Sequence, residues 1–300
     1  MRIGIDLGGS KIEIIALDAA GSTLLRRRLP TPAGDYHKTL STIQQLITET
    51  EQQLDQQGTI GIGIPGSPSP NTALIRNANS TCLNARPLQQ DIQQLLQRKV
   101  RIANDANCFT LSEATDGAAA GIASVFGIIL GTGVGGGVVV NGKMLEGKNL
   151  VAGEWGHNPL PWMTPEEFPG PACWCGKQGC IETFLSGPGL SGHYQKITGE
   201  ARSAEEVATA AAHGIAAAEA ILQQYESRLA RALATVINLL DPECIVIGGG
   251  LSNLHRLYQN VPALLQEYVF SDSVNTRILP PLHGDSSGVR GAAWLWPADD

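Results

Sequence analysis

The stretch Gly4-Ile5-Asp6-Leu7-Gly8-Gly9-Ser10 describes a short apolar strand that ends at a carboxylate and then turns on two glycines. A second stretch, Gly127-Ile128-Ile129-Leu130-Gly131-Thr132-Gly133, shares Gly, Ile, Leu and Gly with it in register. Backbone N–H groups in such glycine turns can bind phosphate oxygens. Together the two stretches predict a duplicated fold that holds one polyphosphate between its halves, although a plain β-hairpin is an alternative for the second stretch.

Strands alternate with helices along the first third of the chain, which predicts an α/β sheet. Helical spacing of apolar residues marks Tyr36–Gln57, and continuous apolar runs mark the strands Thr59–Ile64 and Val100–Asn104. Gly131 to Gly136 match the dinucleotide pattern GxGxxG, but the β-branched segment that follows predicts a strand where that site needs a helix. A dinucleotide fold is therefore excluded.

The composition limits the class of protein further. A chain of 300 residues with 43% hydrophobic and 16% charged residues can form two domains. Its net charge of -7 argues against nucleic-acid binding, which relies on clustered Lys and Arg. A strand begins at Ile3 and no apolar run is long enough to span a bilayer, so we expect a cytoplasmic protein without a signal peptide or a membrane partner.

Two carboxylates lie where strands are predicted to end. Asp6, with Gly8, Gly9, Ser10 and Lys11 after it, suits Mg²⁺ and phosphate together, although Asp6 could also cap its turn and Lys11 could be solvated. Asn104-Asp105-Ala-Asn107 follows the strand Val100–Asn104 and opens a helix. Asp105 is therefore either a helix N-cap or a general base for a hydroxyl group.

A histidine and three cysteines give the most specific pattern. Glu154-Trp-Gly-His157 precedes a Pro-rich segment, after which come Cys173-Trp-Cys175 and Cys180-Ile-Glu182. One His and three Cys form the ligand set of a structural zinc site, which can order a loop that is poor in core residues. Free thiols and a Cys175–Cys180 disulfide are the alternatives, and reduced cysteines in the cytoplasm favour zinc over both.

These motifs, in this order from the first strand to Gly291-Ala-Ala, resemble the ROK family (repressors, open reading frames and kinases). The stretches after His157 and from His283 to Trp296 are most similar to bacterial fructokinases of the mannofructokinase type. The resemblance implies an actin-like ATPase (ribonuclease H-like) fold, with two α/β domains around a hinged cleft. We expect an N-terminal domain of residues 1–119 joined by the helix 288–300, and a C-terminal domain of residues 120–287.

The resemblance also implies roles for individual residues. Asp105 is expected to be the catalytic base, and His157 to bind zinc through one ring nitrogen and sugar through the other. The further sugar contacts expected are Gly66, Asn79, Asn104, Asp105, Glu154 and Glu182. The ATP contacts expected are Asp6, Gly8, Gly9, Ser10, Lys11, Gly131, Thr132, Gly133, Gly249 and Gly250.

The sequence thus predicts a kinase that uses MgATP to phosphorylate a hexose, with fructose favoured and a homodimer expected from the family resemblance. A kinase for mannose, glucose or an N-acetylhexosamine is an alternative, as is a sugar-sensing regulator without activity. ROK repressors carry an N-terminal helix-turn-helix domain, for which a phosphate strand beginning at Ile3 leaves no room. The segment between His157 and Cys173 is longer than the usual family motif, so we expect either an insertion or a lid there.

Overall fold

The computed structural model describes residues 1–297, apart from the side chain of residue 285. The strands are β1 (Arg2–Leu7), β2 (Lys11–Leu17), β3 (Thr23–Pro30), β4 (Thr59–Ile64), β5 (Ser67–Pro68), β6 (Ile75–Arg76), β7 (Val100–Asn104), β8 (Ser124–Leu130), β9 (Val134–Val140), β10 (Lys143–Met144), β11 (Cys244–Gly248) and β12 (Arg277–Leu279). The helices are α1 (Tyr36–Leu54), α2 (Leu88–Leu96), α3 (Asp105–Thr115), α4 (Ile181–Leu185), α5 (Gly187–Thr198), α6 (Ala204–Ala212), α7 (Ala216–Leu240), α8 (Arg256–Leu265) and α9 (Ser287–Ala293).

The chain divides into two compact units, and the predicted α/β class is confirmed. The first unit contains residues 1–121, 137–152 and 282 onwards, and the second contains residues 122–136 and 153–281. Strand β9 crosses from the second unit to the first between Gly136 and Gly137. Residues 137–152 are therefore grouped with the first unit, whereas the sequence placed them in the C-terminal domain.

A five-stranded sheet of order β3-β2-β1-β4-β7 forms the centre of the first unit. β1 pairs antiparallel with β2 and parallel with β4, which in turn pairs parallel with β7. The carboxyl ends of the three parallel strands meet at one edge, because Asp6 is in register with Gly63 and Ile64 with Asn104. Residues at the ends of these strands are thereby brought together.

Both faces of this sheet are covered, which explains why its strands read as continuous apolar runs. Ile3, Ile5 and Leu7 of β1 are fully buried in one core cluster that also includes apolar residues of α1 and α2. Helix α9 covers the opposite face, where Val289 packs with Ile15 of β2.

Three glycines let α9 approach the backbone of its neighbours. A Cβ added at Gly4 or Gly61 would lie 2.0 or 1.9 Å from a carbonyl oxygen of α9. A Cβ at Gly291 of α9 would lie 1.6 Å from the carbonyl oxygen of Cys108 in α3. The predicted final helix extended to residue 300, but α9 ends at Ala293 and residues 298–300 lie outside the described range.

The segment before α9 is held by α3. The buried Glu113 accepts hydrogen bonds from the backbone N–H groups of Leu282 and His283 and from the Ser287 hydroxyl. Asp116 of α3 pairs with the Arg290 guanidinium of α9. The start of α9 is therefore tied to the helix that begins at Asp105.

The other five-stranded sheet has the order β10-β9-β8-β11-β12, with β8 parallel to β11 and β11 parallel to β12. In the second unit α7 is the longest helix, and Leu229, Ala230, Ala232, Leu233 and Ala234 along it are fully buried. Within residues 1–297, no helix has the length and apolar character needed to cross a bilayer. Residues 67–76 contain a small antiparallel hairpin, β5–β6.

Candidate active site

Asp6 and Asp105 are brought together at the carboxyl edge of the first sheet. Asp6 lies near the end of β1, and Asp105 is the first residue of α3, directly after β7. Burial raises the pKa of Asp6, and the negative charges of Asp105 and Glu13 raise it as well, so that it reaches about 7 despite the smaller opposing effects of Lys11 and Arg28. A carboxylate in these surroundings is poised to accept a cation or a proton.

Asn104, not Asp105, is the N-cap of α3. Its Oδ1 accepts hydrogen bonds from the backbone N–H groups of Ala106 and Asn107, and its Nδ2 donates to the carbonyl oxygen of Gly66 at 3.1 Å. Oδ1 of Asp105 also accepts from the Ala106 N–H. The helix cap therefore does not depend on Asp105, which weakens the alternative that Asp105 serves only as a cap.

The turn after Asp6 is closed by its own backbone. The N–H of Gly8 donates to the carbonyl of Lys11 at 3.0 Å, and the hydroxyl and N–H of Thr31 donate to the carbonyls of Gly8 and Ser10. Gly9 and Ser10 are exposed at the tip of this turn. Because the amide of Gly8 is used inside the turn, Gly9 and Ser10 are the better placed of the predicted phosphate donors.

Gly66 and Asn79 come close together through the hairpin β5–β6. Gly66 has φ +76°, and a Cβ there would lie 2.3 Å from the carbonyl of Arg76 and 2.7 Å from the N–H of Ala78. The side chain of Asn84 accepts from the N–H of Ala78 and donates to its carbonyl, which fixes this loop. Asn79 is the next residue and is exposed.

In the second unit the glycine turn between β8 and β9 is also closed internally. The N–H of Gly131 donates to the carbonyl of Gly133, and the N–H of Gly187 donates to the carbonyl of Gly131. A Cβ at Gly133 would lie 2.8 Å from the carboxylate of Glu182, which accepts the N–H of Val134 at 2.9 Å. This places the predicted sugar contact Glu182 directly against the predicted phosphate turn, with Thr132 at the tip.

Gly249 and Gly250 follow β11, as predicted. Gly249 has φ +82°, and a Cβ there would lie 2.5 Å from the carbonyl oxygen of Leu130 at the end of β8. A Cβ at Gly250 would meet nothing within 4 Å. Gly249 is thus required by the fold, whereas open space beside Gly250 fits the predicted approach of a nucleotide.

His157 is placed by a short turn that packs on the start of β9. The Trp155 indole Nε1 donates to the carbonyl of Gly135 at 2.9 Å, and a Cβ at Gly156 would lie 2.1 Å from the carbonyl of Val134. His157 is half-buried at the end of this turn, and Glu154 is exposed at its beginning. The predicted sugar contacts Glu154 and His157 are therefore carried by one short segment.

The predicted metal ligands His157, Cys173, Cys175 and Cys180 converge, with their ligand atoms within 4.8 Å of one another. Nδ1 of His157 lies 3.6 Å from Sγ of Cys173, and Sγ of Cys175 lies 3.6 Å from Sγ of Cys180. A tetrahedral zinc with bonds of about 2.1 Å to nitrogen and about 2.3 Å to sulfur has ligands roughly 3.6–3.8 Å apart. The two 3.6 Å separations therefore fit a zinc ion. All six cysteines are free, so Cys175 and Cys180 do not form the alternative disulfide.

The Pro-rich segment between His157 and Cys173 is anchored to α7. Glu167, 7% exposed, pairs with Arg228 at 2.7 Å and with Arg231 at 2.8 Å. Arg231 also donates to the carbonyls of Pro161 and Trp162. Burial raises the pKa of Glu167, but hydrogen bonds from Arg231 and Arg228 outweigh it and lower the pKa to about 2. A segment held by a buried ion pair does not have the character of a lid.

Sequence reasoning missed Glu167 and Trp174. Glu167 has partners that are 61 and 64 residues away, and no local pattern reveals them. Trp174 donates from Nε1 to Oε1 of Glu182 at 2.7 Å, and its ring meets that of His157 edge to face. Its position between Cys173 and Cys175, both predicted ligands, was the available signal.

Comparison with protein families identifies the family of this chain, because the model of the ROK family matches residues 2–299. The chain belongs to the ROK family. A ROK hexokinase from Thermus thermophilus is 27% identical, with a TM-score of 0.86 over 97% of this chain and 96% of that one. A ROK glucokinase from Streptomyces griseus, solved with glucose and AMPPNP, is 26% identical, with a TM-score of 0.78 over 98% of each chain.

Membership in the ROK family and likeness to its solved structures establish the actin-like ATPase fold, so the predicted family and fold are confirmed. Among the relatives of this chain, an N-acetyl-D-glucosamine kinase from Yersinia pseudotuberculosis serotype O:3 (strain YPIII) is 39% identical over the full length of both chains. The finer resemblance to fructokinases is not supported by this comparison and stays a prediction.

Proposed function

We propose that this ROK protein is an ATP-dependent hexose kinase with Asp105 as its general base. The observation that carries the proposal is the placement of Asp105 beside Asp6, directly beyond a parallel strand, while Asn104 caps the helix. In the proposed reaction a hexose hydroxyl attacks the γ-phosphorus of ATP, a new O–P bond forms, and the bond to the β-phosphate oxygen breaks. The hydroxyl proton passes to Asp105, and ADP and a hexose phosphate leave.

The residues at this edge suit Mg²⁺ and a nucleotide. Asp6 offers a hard oxygen ligand whose ionised form is disfavoured by burial and by neighbouring carboxylates, so a divalent cation would relieve that cost. When bound with ATP, Mg²⁺ would neutralise charge on the β- and γ-phosphates. The exposed backbone of Gly9 and Ser10 would bind phosphate, and the hydroxyl of Ser10 can donate as well.

We propose a zinc ion for the cluster of His157, Cys173, Cys175 and Cys180. Burial raises the pKa of Cys180 to about 12 and also raises that of Cys173, so these thiols are neutral unless a cation stabilises their thiolates. Four protein ligands leave no position for a reactive water, so the role of zinc would be structural. It would fix the imidazole of His157 and, through Trp174, the carboxylate of Glu182.

Two acceptor sugars have separate support. N-acetyl-D-glucosamine is favoured by the name of the relative that is 39% identical over its whole length. Fructose is favoured by the resemblance of Asn158-Pro-Leu-Pro-Trp-Met163 and of residues 283–296 to fructokinases.

The test is ADP release by purified protein with MgATP and a panel of fructose, mannose, glucose, N-acetylglucosamine and N-acetylmannosamine. We expect turnover with at least one hexose, and the ranking of kcat/KM assigns the acceptor. Mass spectrometry of the product identifies the hexose monophosphate. Absence of hexose-dependent ADP release, together with measurable hexose binding in calorimetry, would instead establish a sugar-sensing regulator.

A further inference from the structure

Trp174 lies in the tight turn that carries two of the cysteines. The N–H of Gly176 donates to the carbonyl of Cys173, and the N–H of Cys173 donates to the carbonyl of Lys177. This turn fixes the backbone on both sides of Trp174, because Cys173 and Cys175 belong to the cluster. The indole is therefore mounted on a rigid part of the second unit although 67% of it is exposed.

The exposed indole makes two specific contacts. Nε1 donates to Oε1 of Glu182 at 2.7 Å, a short hydrogen bond to a charged acceptor. The ring centroid lies 4.9 Å from that of His157 with an interplanar angle of 87°. The indole therefore touches both a predicted zinc ligand and a predicted sugar contact.

Glu182 is held from two sides. Oε2 accepts the N–H of Val134, and Oε1 accepts the indole N–H, so each oxygen keeps one direction for a further hydrogen bond. The Val134 bond fixes the carboxylate along the turn between β8 and β9. The Trp174 bond adds a second restraint on rotation about the last side-chain torsion.

We propose that Trp174 is a positioning residue for hexose binding, which orients the carboxylate of Glu182 and the imidazole of His157 toward the sugar. This rests on the proposed hexose kinase function and on the predicted sugar contacts. Trp174 thereby links the cysteine cluster to Glu182 and His157, which are the side chains predicted to contact the hydroxyls of the sugar. Its effect is on the binding of the sugar and not on the binding of the nucleotide.

The experiment compares Trp174→Phe with wild type and with Trp162→Phe. Phenylalanine keeps an apolar ring beside His157 but removes the donor to Glu182. Trp162 is the matched control, because it is a comparably exposed indole that lies in the Pro-rich segment before Cys173 and packs with Tyr268 instead. Calorimetry gives Kd for the hexose and for a non-hydrolysable ATP analogue, and steady-state kinetics give both KM values.

We expect Trp174→Phe to raise Kd and KM for the hexose roughly three- to tenfold, which corresponds to the net contribution of one hydrogen bond. Nucleotide affinity, metal content and thermal stability should stay at wild-type values, as should all properties of Trp162→Phe. An unchanged hexose Kd would overturn the proposal, and so would a parallel loss of hexose affinity, nucleotide affinity and metal. If wild type neither binds nor phosphorylates a hexose, the proposed function itself fails, and the wild-type measurements alone reveal this.

Discussion

Asp6 in the first unit and Glu167 in the second are both largely buried carboxylates, but burial has opposite consequences for their charge. Asp6 has Asp105 and Glu13 as electrostatic neighbours, and its pKa rises to about 7. Glu167 has two arginines within hydrogen-bonding distance, and its pKa falls to about 2. A buried carboxylate with little compensating positive charge is suited to bind a cation, whereas one that is paired with arginines anchors the fold.

The largest effect expected is on turnover by Asp105→Asn. Loss of a general base lowers kcat by about 10²–10⁴, while hexose and nucleotide affinities should remain close to wild type. Thermal stability should also be kept, because Asn104 provides the cap of α3. Steady-state kinetics and calorimetry measure both. A variant with near-native kcat would remove Asp105 from the mechanism.

Removing the anchor tests the other side of the comparison. Glu167→Ala leaves two buried arginines without their carboxylate, and we expect it to lower the free energy of unfolding by about 3–5 kcal/mol. Glu166→Ala, at the exposed neighbouring residue, is the matched control and should have little effect. Urea denaturation measures the change. Equal stability of the two variants would mean that the pairs with Arg228 and Arg231 do not anchor the segment.

The cysteine cluster is the second anchor of the Pro-rich segment, since His157 and Cys173 lie at the two ends of that segment. Cys175→Ser should lower the melting temperature and weaken hexose binding, since one of the four proposed zinc ligands is lost, while nucleotide binding stays near normal. Elemental analysis of protein purified without chelators should give about one zinc per chain. Cys82→Ser, outside the cluster, is the control. Metal-free protein with unimpaired hexose binding in Cys175→Ser would return these cysteines to ordinary thiols.

The two carboxylates also predict opposite pH dependence of stability. For Asp6 the pKa is higher in the folded than in the unfolded protein. Its contribution to the free energy of unfolding therefore falls as pH rises from about 4 to about 7. For Glu167 the pKa is lower in the folded protein, so its contribution is lost as pH falls from about 4.5 to about 2.

Asp6→Asn should therefore stabilise the nucleotide-free protein by roughly 1–3 kcal/mol at pH 8 and much less at pH 4. It should also weaken the Mg²⁺ dependence of nucleotide binding. Urea denaturation across this pH range gives the difference directly. A constant difference between wild type and variant from pH 4 to pH 8 would contradict the raised pKa of Asp6.

The sequence was most informative where a single local rule decides the outcome. Apolar runs ending in Asp6 and Asn104 predicted the parallel strands, and strand ends in one sheet meet at one edge. The spacing of His157, Cys173, Cys175 and Cys180 predicted the cluster, because few arrangements of three cysteines and a histidine serve another purpose.

Other features depend on contacts that no short stretch of sequence contains. Asn104 and Asp105 are both good capping residues. Which of them is the N-cap of α3 depends on the φ and ψ angles at the end of β7, and these make Asn104 the cap. The partners of Glu167 lie on α7, more than 60 residues away. The anchoring of the Pro-rich segment, for which the sequence had suggested an insertion or a lid, follows from that pairing.

The close packing of α9 against β1, β4 and α3 has a consequence for how the protein is made. The second unit ends at residue 281, so all of it has been synthesised before α9 leaves the ribosome. The first unit, which contains the start of the chain, lacks the helix that covers one face of its sheet until residues 287–293 are free. Since domains fold as units, the half that is translated first is the half that is completed last.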